Sequence, residues 1–284
     1  TDFGLDDPFV GIMKGVILNI EPNANIIDIT HNIKPQNILQ AARVLNATFP
    51  WYPKGAVHII VVDPGVGGPQ IKKSPETKKK PSKLKDNNLS MIVEGRGPIG
   101  KRPIVIQSQF QTFIGPDNGV LTPALGKKSR VYEINNPQYF LKNISNTFHG
   151  RDLFAPVAAW IAAGIPASKM GPRLLKPTQV DMPEAVQKNK QIKGEIIYID
   201  HFGNATTNIP AELIDKTFGS SDTIEVRVGK EKINGFATGY YQVSPNQPGA
   251  IVNSWDQLEI FCRESNAKKK LKLKIGQAVI LKEK

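Results

Sequence analysis

The chain has 284 residues, 40% of them hydrophobic and 22% charged, with a formal net charge of +12. That composition is ordinary for a soluble globular protein and excludes wholesale disorder, and the length suits two domains with separate cores. The apolar runs fall far short of the roughly 18 residues of a membrane span, and one cysteine, Cys262, excludes an intramolecular disulfide or a cysteine-built metal site. A reducing cytoplasm is the expected compartment, with no secretory leader and no membrane partner. Because the first residues already lie inside a motif, a short upstream strand is expected before Thr1.

In chain order, apolar residues at Phe9, Val10, Met13, Val16, Ile17 and Ile20 trace one helical face opening at Pro8. Residues 25–30 read as a short strand and residues 36–49 as a helix through Ile38, Ala41, Val44 and Leu45. Residues 56–62 form a β-rich apolar run, which predicts a strand buried on both faces of a parallel sheet. Asp63 then stands at the C-terminal end of that strand, where open α/β sheets place their ligands. The pattern breaks at 69–100, a proline- and lysine-rich loop insertion. A strand pair is expected at 103–106 and 112–114, then the Gly115-Pro116-Asp117-Asn118-Gly119 turn, then a helix over 151–163. Prolines 172, 177 and 183 mark the domain boundary. Short strands are expected at 194–199, 223–228, 250–252, 258–261 and 278–281, spaced as in a small β domain. The expected fold is therefore α/β: an N-terminal layered domain over 1–182 with a mainly parallel sheet, and a smaller C-terminal β-barrel-like domain over 183–284.

The positive charge is local. Residues 69–102 carry a net +7 and residues 263–284 a net +6, which leaves the remainder near neutrality. Without aromatics among those lysines, a solvated surface is the favoured reading over a nucleic-acid footprint.

Four glycine-containing turns hold the polar residues that could act together: Asp2 with Asp7, Asp63 in D-P-G-V-G, His149 in H-G-R-D, and Asp200, Phe202 and Asn204 in D-H-F-G-N. Each has a plain structural alternative. Asp7 could cap the helix that follows, whereas a carboxylate at Asp2 suits two ribose hydroxyls. Asp63 could cap a turn, although a rigid Pro-Gly turn after a buried strand would also aim it at a ligand. His149 sits at a helix start, where the dipole would lower its pKa and favour the neutral base. Its neighbours Arg151 and Asp152 could be capping and surface pairing. Phe202 is a candidate aromatic platform or a core residue, and Asn204 could read a base edge.

Taken together, TDFG at 1–4 with MKG at 13–15, DITH at 28–31, VVDPGVG at 61–67, GPDNG at 115–119, HGRDLFAPVA at 149–158, IDHFGN at 199–204 and NS at 253–254 with LEI at 258–260 resemble the S-adenosyl-L-methionine hydroxide adenosyltransferase family, relatives of the bacterial fluorinase and chlorinase. The resemblance implies a homotrimer with active sites between subunits. It also implies displacement at the 5′ carbon of S-adenosylmethionine, releasing L-methionine. By position, Asp2 would bind the ribose hydroxyls, Asp7 would lie at the methionine end, and Asp200 and Ser254 would hold the methionine head group. Phe202 would stack on adenine, Asn204 would hydrogen-bond it, and backbone near Cys262 and Glu264 would complete that pocket.

Halogenases of this superfamily resemble the same scaffold but place tyrosine where this chain has Asp63, and lack the histidine at His149. Members that use water are described with an Asp–Arg–His set, which implies Asp63 and His149 here. The arginine is displaced by the insertion; Arg102 is the favoured candidate, with Lys101 and Arg96 as alternatives, and a lysine would lack the planar fork. The expected function is hydrolysis of S-adenosylmethionine to adenosine and L-methionine, with no metal or redox cofactor. The alternatives are a halogenase and a nucleoside- or nucleic-acid-binding protein without turnover.

Overall fold

The structure, a computed structural model, describes residues 1–64, 102–219 and 223–284. The insertion expected at 69–100, Arg96 with it, and Lys101 lie outside those residues. The chain divides into two compact units, Thr1–Val180 and Asp181–Lys284.

The first unit layers helices on a five-stranded sheet. Helix α1 (Phe9–Ile20) buries Val10, Met13 and Ile17, the residues that its 3.6-residue period puts on one face. Helix α2 (Ile38–Thr48) is capped by Asn37, whose side chain accepts the N–H of Gln40. The strands are β1 (Val57–Ile59), β2 (Pro103–Gln107), β3 (Thr112–Pro116), β4 (Arg130–Glu133) and β5 (Arg173–Leu174), in the order β1-β3-β2-β4-β5. β1 runs parallel to β3, and every other pairing among these strands is antiparallel. The layered α/β architecture is as expected, while among the described strands the sheet is mixed rather than mainly parallel. The cause is local: the Ser108 hydroxyl and the Gln111 carbonyl close a tight turn between β2 and β3, and so short a connection can only join antiparallel strands.

Residues 25–30 are not a strand. Among the described residues their backbone finds no ladder partner, and a cavity of about 460 Å³ lies against them, lined also by β1, α1 and α2. Beyond β1 the parallel pairing continues as Ile60 N–H donates to Ile114 O at 2.9 Å. The approach there is close enough that a Cβ on Gly115 would run into the Ile60 carbonyl oxygen.

The helix read over 151–163 begins as a wide π-type turn, Gly150–Phe154, and continues as α3 (Ala155–Ala162). Leu153, Phe154, Ala155 and Val157 are fully or nearly fully buried, and the helix packs against α1.

The second unit is an antiparallel sheet coiled toward a barrel. Its strands are β6 (Val186–Lys188), β7 (Gln191–Ile199), β8 (Ala205–Pro210), β9 (Ile224–Val228), β10 (Glu231–Asn234), β11 (Pro248–Val252), β12 (Gln257–Cys262) and β13 (Ala278–Glu283). The order is β10-β9-β13-β7-β8-β12-β11, with β6 on β7. The two ends of this path meet where Ala237 N–H donates to Ala250 O at 2.8 Å, so the sheet is nearly closed and its free edge is short. Helices α4 (Ala211–Phe218) and α5 (Ala267–Lys270) flank it. Ile192, Ile196, Ile209, Val226, Leu258, Ile260, Val279 and Leu281 form its core.

Candidate active site

The polar residues singled out in the sequence fall into two groups, one in each unit.

In the first unit Asp2 is half-buried, and its Oδ2 accepts the N–H of Gln36 at 2.8 Å, which ties the first turn to the segment before α2. Gly4 N–H donates to His31 O, and Thr1 Oγ1 meets His31 Nδ1 at 2.9 Å, so the opening turn is held at several points. Asp7 is exposed and does not cap α1: the cap position is Pro8, and no side chain bonds there. Its capping alternative is therefore removed.

Asp63 lies half-buried at the end of the segment that prolongs β1. The residue before it is fixed by Asn118, whose Nδ2 donates to the Val62 carbonyl at 2.8 Å while its Oδ1 accepts the Val120 N–H at 3.0 Å. Asn118 is nearly fully buried. The sequence marked this stretch only as a turn.

His149 is buried immediately before the π-type turn. Burial pushes its imidazole below the ordinary histidine value. The carboxylates of Asp63 and then Asp152, with a hydrogen bond to the Ser145 carbonyl, pull the other way. The lowered direction is the one expected, and burial is its largest cause. That Asp63 acts on His149 electrostatically puts the two in one neighbourhood, although 86 positions apart in sequence. At neutral pH the site holds a carboxylate beside a neutral imidazole.

Arg102 is engaged through one of its nitrogens. Its Nε donates to Asp117 Oδ2 at 2.8 Å, and Asp117 Oδ1 accepts the Thr178 N–H at 2.6 Å. The guanidinium thus neutralises a buried carboxylate of the GPDNG turn. Nearby Glu133 is raised above the usual carboxylate range by burial, against the pull of Arg102. Asp152 is not surface pairing as its sequence alternative had it: it is fully buried.

In the second unit Asp200 and Asn204 close the β7–β8 turn. Asn204 N–H donates to Asp200 Oδ1 at 2.8 Å, and the backbone groups of the same two residues bond at 3.0 Å. Gly203 sits at φ +92° with its carbonyl bonded to Lys268 N–H. Phe202 at the tip is 74% exposed, so the core-residue alternative fails. A ring presented this openly on a pinned turn is an unused stacking face. Ser254 is exposed in the β11–β12 turn, where Asn253 Oδ1 accepts the Trp255 N–H at 3.0 Å. Trp255 packs on Tyr198 with centroids 5.2 Å apart, which brings the Ser254 turn toward the β7 end that carries Asp200.

Two residues here were not flagged by the sequence. Tyr240 donates to Glu259 Oε1 at 2.8 Å, and Asn253 Nδ2 donates to Glu259 Oε2 at 3.1 Å. Burial, the Glu259 bond and charge, and then the Asp200 charge push the Tyr240 hydroxyl up to about 12. Two carboxylates thus bear on one phenol, giving a negative environment suited to a cationic group. Cys262 points into the core of this unit, its thiol raised by burial, while its carbonyl accepts the Ser265 N–H. Glu264 is exposed at φ +54° and accepts from Arg263 Nε at 3.1 Å. Among the described residues no cluster of His, Cys, Asp and Glu fits a metal ion, and no helix is long and apolar enough to cross a membrane.

The fold is shared with known proteins. A crystal structure of an uncharacterized conserved protein from Thermotoga maritima superposes with a TM-score of 0.84 at 34% identity, over 99% of this chain and 98% of that one. The family models described as the SAM hydroxide adenosyltransferase N-terminal domain and C-terminal domain match residues 1–79 with 89–171, and 194–280. An (R)-S-adenosyl-L-methionine hydrolase from Methanocaldococcus jannaschii is 34% identical over 95% of this chain and 89% of its own length. A fluorinase from Nocardia brasiliensis is 28% identical over 76% of the chain and 71% of its own. The chain belongs to the SAM hydroxide adenosyltransferase family.

Proposed function

We propose that this protein hydrolyses S-adenosyl-L-methionine to adenosine and L-methionine. The observation that carries this reading is the Asp63 carboxylate acting on a buried, neutral His149, an acceptor pair for the protons of one water. The water oxygen attacks the ribose 5′ carbon in line with the carbon–sulfur bond. That bond breaks with its electron pair going to sulfur, and methionine leaves as a neutral thioether. The proton passes to His149, with Asp63 stabilising the imidazolium. A sulfonium needs neither a general acid nor a redox partner to depart, so the reading calls for no cofactor. What the protein contributes is alignment and desolvation of the nucleophile.

Binding falls to the remaining residues. Asp2 takes the ribose hydroxyls, Asp7 lies at the methionine end, Asp200 and Ser254 take the methionine head group, and Phe202 stacks on adenine. Asn204 and the backbone near Cys262 and Glu264 read the base edge. With Arg102 bonded to Asp117, the arginine expected beside Asp63 is left to Arg102's remaining nitrogens or to Arg96; Lys101 is the non-equivalent alternative. A cytoplasmic homotrimer with active sites between subunits completes the reading, to be checked by light scattering.

The deciding experiment incubates S-adenosylmethionine with the protein in ¹⁸O-water, with and without chloride, beside Asp63→Ala and His149→Ala. Adenosine labelled at the 5′ oxygen, lost in both variants, is the expected result. A 5′-chlorinated nucleoside would make the protein a halogenase. Intact substrate that still binds would leave a nucleoside-binding protein.

A further inference from the structure

The π-type turn holds a carboxylate that the proposed chemistry leaves unused. Asp152 is 0% exposed, and four donors converge on it. Its Oδ2 accepts from Ser145 N–H at 2.8 Å, Ser145 Oγ at 2.7 Å and Arg151 Nη2 at 3.2 Å, and its Oδ1 accepts from Arg151 Nε at 2.6 Å. Its own backbone carbonyl accepts the Leu141 N–H at 3.0 Å. A buried carboxylate is costly unless its lone pairs are used, and here they gather residues 145 and 151 onto one point.

Ser145 connects this point to the imidazole. Its hydroxyl also accepts at 3.1 Å the N–H of Phe148, the residue directly before His149, and its backbone carbonyl exerts a hydrogen-bonding pull on the His149 ring. A neutral imidazole bonded to a carbonyl through one nitrogen keeps its proton there, and the other nitrogen is left as an acceptor. We propose that Asp152, acting through Ser145, is the positioning residue that fixes the tautomer and orientation of His149 so that its free nitrogen can take a proton from water. The proposal rests on reading His149 as the base.

Among the described residues, the charged groups that face His149 are Asp63, from the segment after β1, and Asp152 with its partner Arg151, from the turn His149 precedes. α1 packs against the same turn and offers Met13, while Phe3 and Phe148 line the other contacts of Gly150.

Two variants test it. Asp152→Asn keeps the volume but cannot satisfy four donors or balance Arg151, and Ser145→Ala cuts the hydroxyl link while leaving the carbonyl. Nitrogen-15 spectra of labelled histidine should show one His149 tautomer in the wild type and a mixture in Asp152→Asn, with a weaker mixture in Ser145→Ala. The value of kcat should fall about 10- to 100-fold in Asp152→Asn with KM within about twofold. Removing the negative charge should also move the acid limb of kcat/KM to lower pH. His149 spectra and pH limbs that superimpose on the wild type in both variants would overturn the proposal. Should Asp152→Asn fail to fold, Ser145→Ala decides it by the same spectra. A wild type that shows the single tautomer yet does not hydrolyse S-adenosylmethionine would sink the hydrolase reading and spare the positioning geometry.

Discussion

The amide of Asn118 reaches from the GPDNG turn to the carbonyl of Val62 at 2.8 Å and so fixes the backbone directly before Asp63. One side chain thereby couples the end of β3 to the residue assigned to hold water. Asn118→Ala leaves the buried Val62 carbonyl unpaired, which costs about 1–3 kcal/mol. The expected outcome is a lower denaturant midpoint and a kcat loss that exceeds any change in KM. An unchanged midpoint would show that the bond contributes nothing.

Acidification should unfold the protein through two histidines. Burial lowers both His58 and His149, so each is neutral in the folded chain. The unfolded chain takes up protons as pH drops through about 6.5, before the folded chain does. Stability is therefore full above that pH and declines below it. His58 stacks on Phe113 at 4.8 Å, and its Nε2 is buried without a partner among the described residues, so His58→Phe should flatten the decline. The acid loss of kcat/KM, assigned to His149, should persist in that variant. Thermal melts and rate profiles from pH 5 to 8 check both.

Phe202 offers a separation of binding from folding. Because the ring is 74% exposed, Phe202→Ala should change stability by no more than about 0.5 kcal/mol. If it stacks on adenine, worth about 1–3 kcal/mol, the KM for S-adenosylmethionine should rise at least about fivefold with kcat little affected. A wild-type KM would remove the residue from the site.

Gly203 is the geometric weak point of the same turn. At φ +92°, an added Cβ would run into the side chain of Asn266, whose Oδ1 caps α5 by accepting the Lys269 N–H at 2.9 Å. Gly203→Ala should destabilise the second unit by about 1–3 kcal/mol and raise KM as Asp200 and Asn204 shift. A calorimetric melt resolves the effect.

Much of this was legible in the sequence because it is carried by local signals. The period of Phe9, Val10, Met13 and Ile17 gave α1, and turn residues at 200–204 marked the bend that joins β7 to β8. What escaped depends on partners far along the chain. Residues 25–30 have the isoleucine-rich pattern of a strand, but a strand needs a neighbour and none of the described residues pairs with them. β8 was missed because Thr206 and Thr207 look polar, although both are buried and Thr207 Oγ1 donates to Leu258 O at 2.9 Å. Asp152 reads as a helix-start acid in sequence, and only the convergence of Ser145 and Arg151 shows it to be interior. Glu259 looks like an outward residue of β12 until Tyr240 and Asn253 close over it.

Each unit carries its own hydrophobic core, one around Phe154, Val157 and Ile114, the other around Ile196, Leu258 and Val279. The groups assigned to water activation are packed into the first, whereas Phe202, Asn204 and Ser254 are mounted on surface turns of the second. Changes to the nucleophile's surroundings therefore need not disturb the base-binding turn, although the ribose contact assigned to Asp2 stays in the first unit. Such modularity gives a scaffold on which attacking groups can be exchanged over generations while the base-binding turn stays the same, and a fluorinase stands among the relatives of this chain.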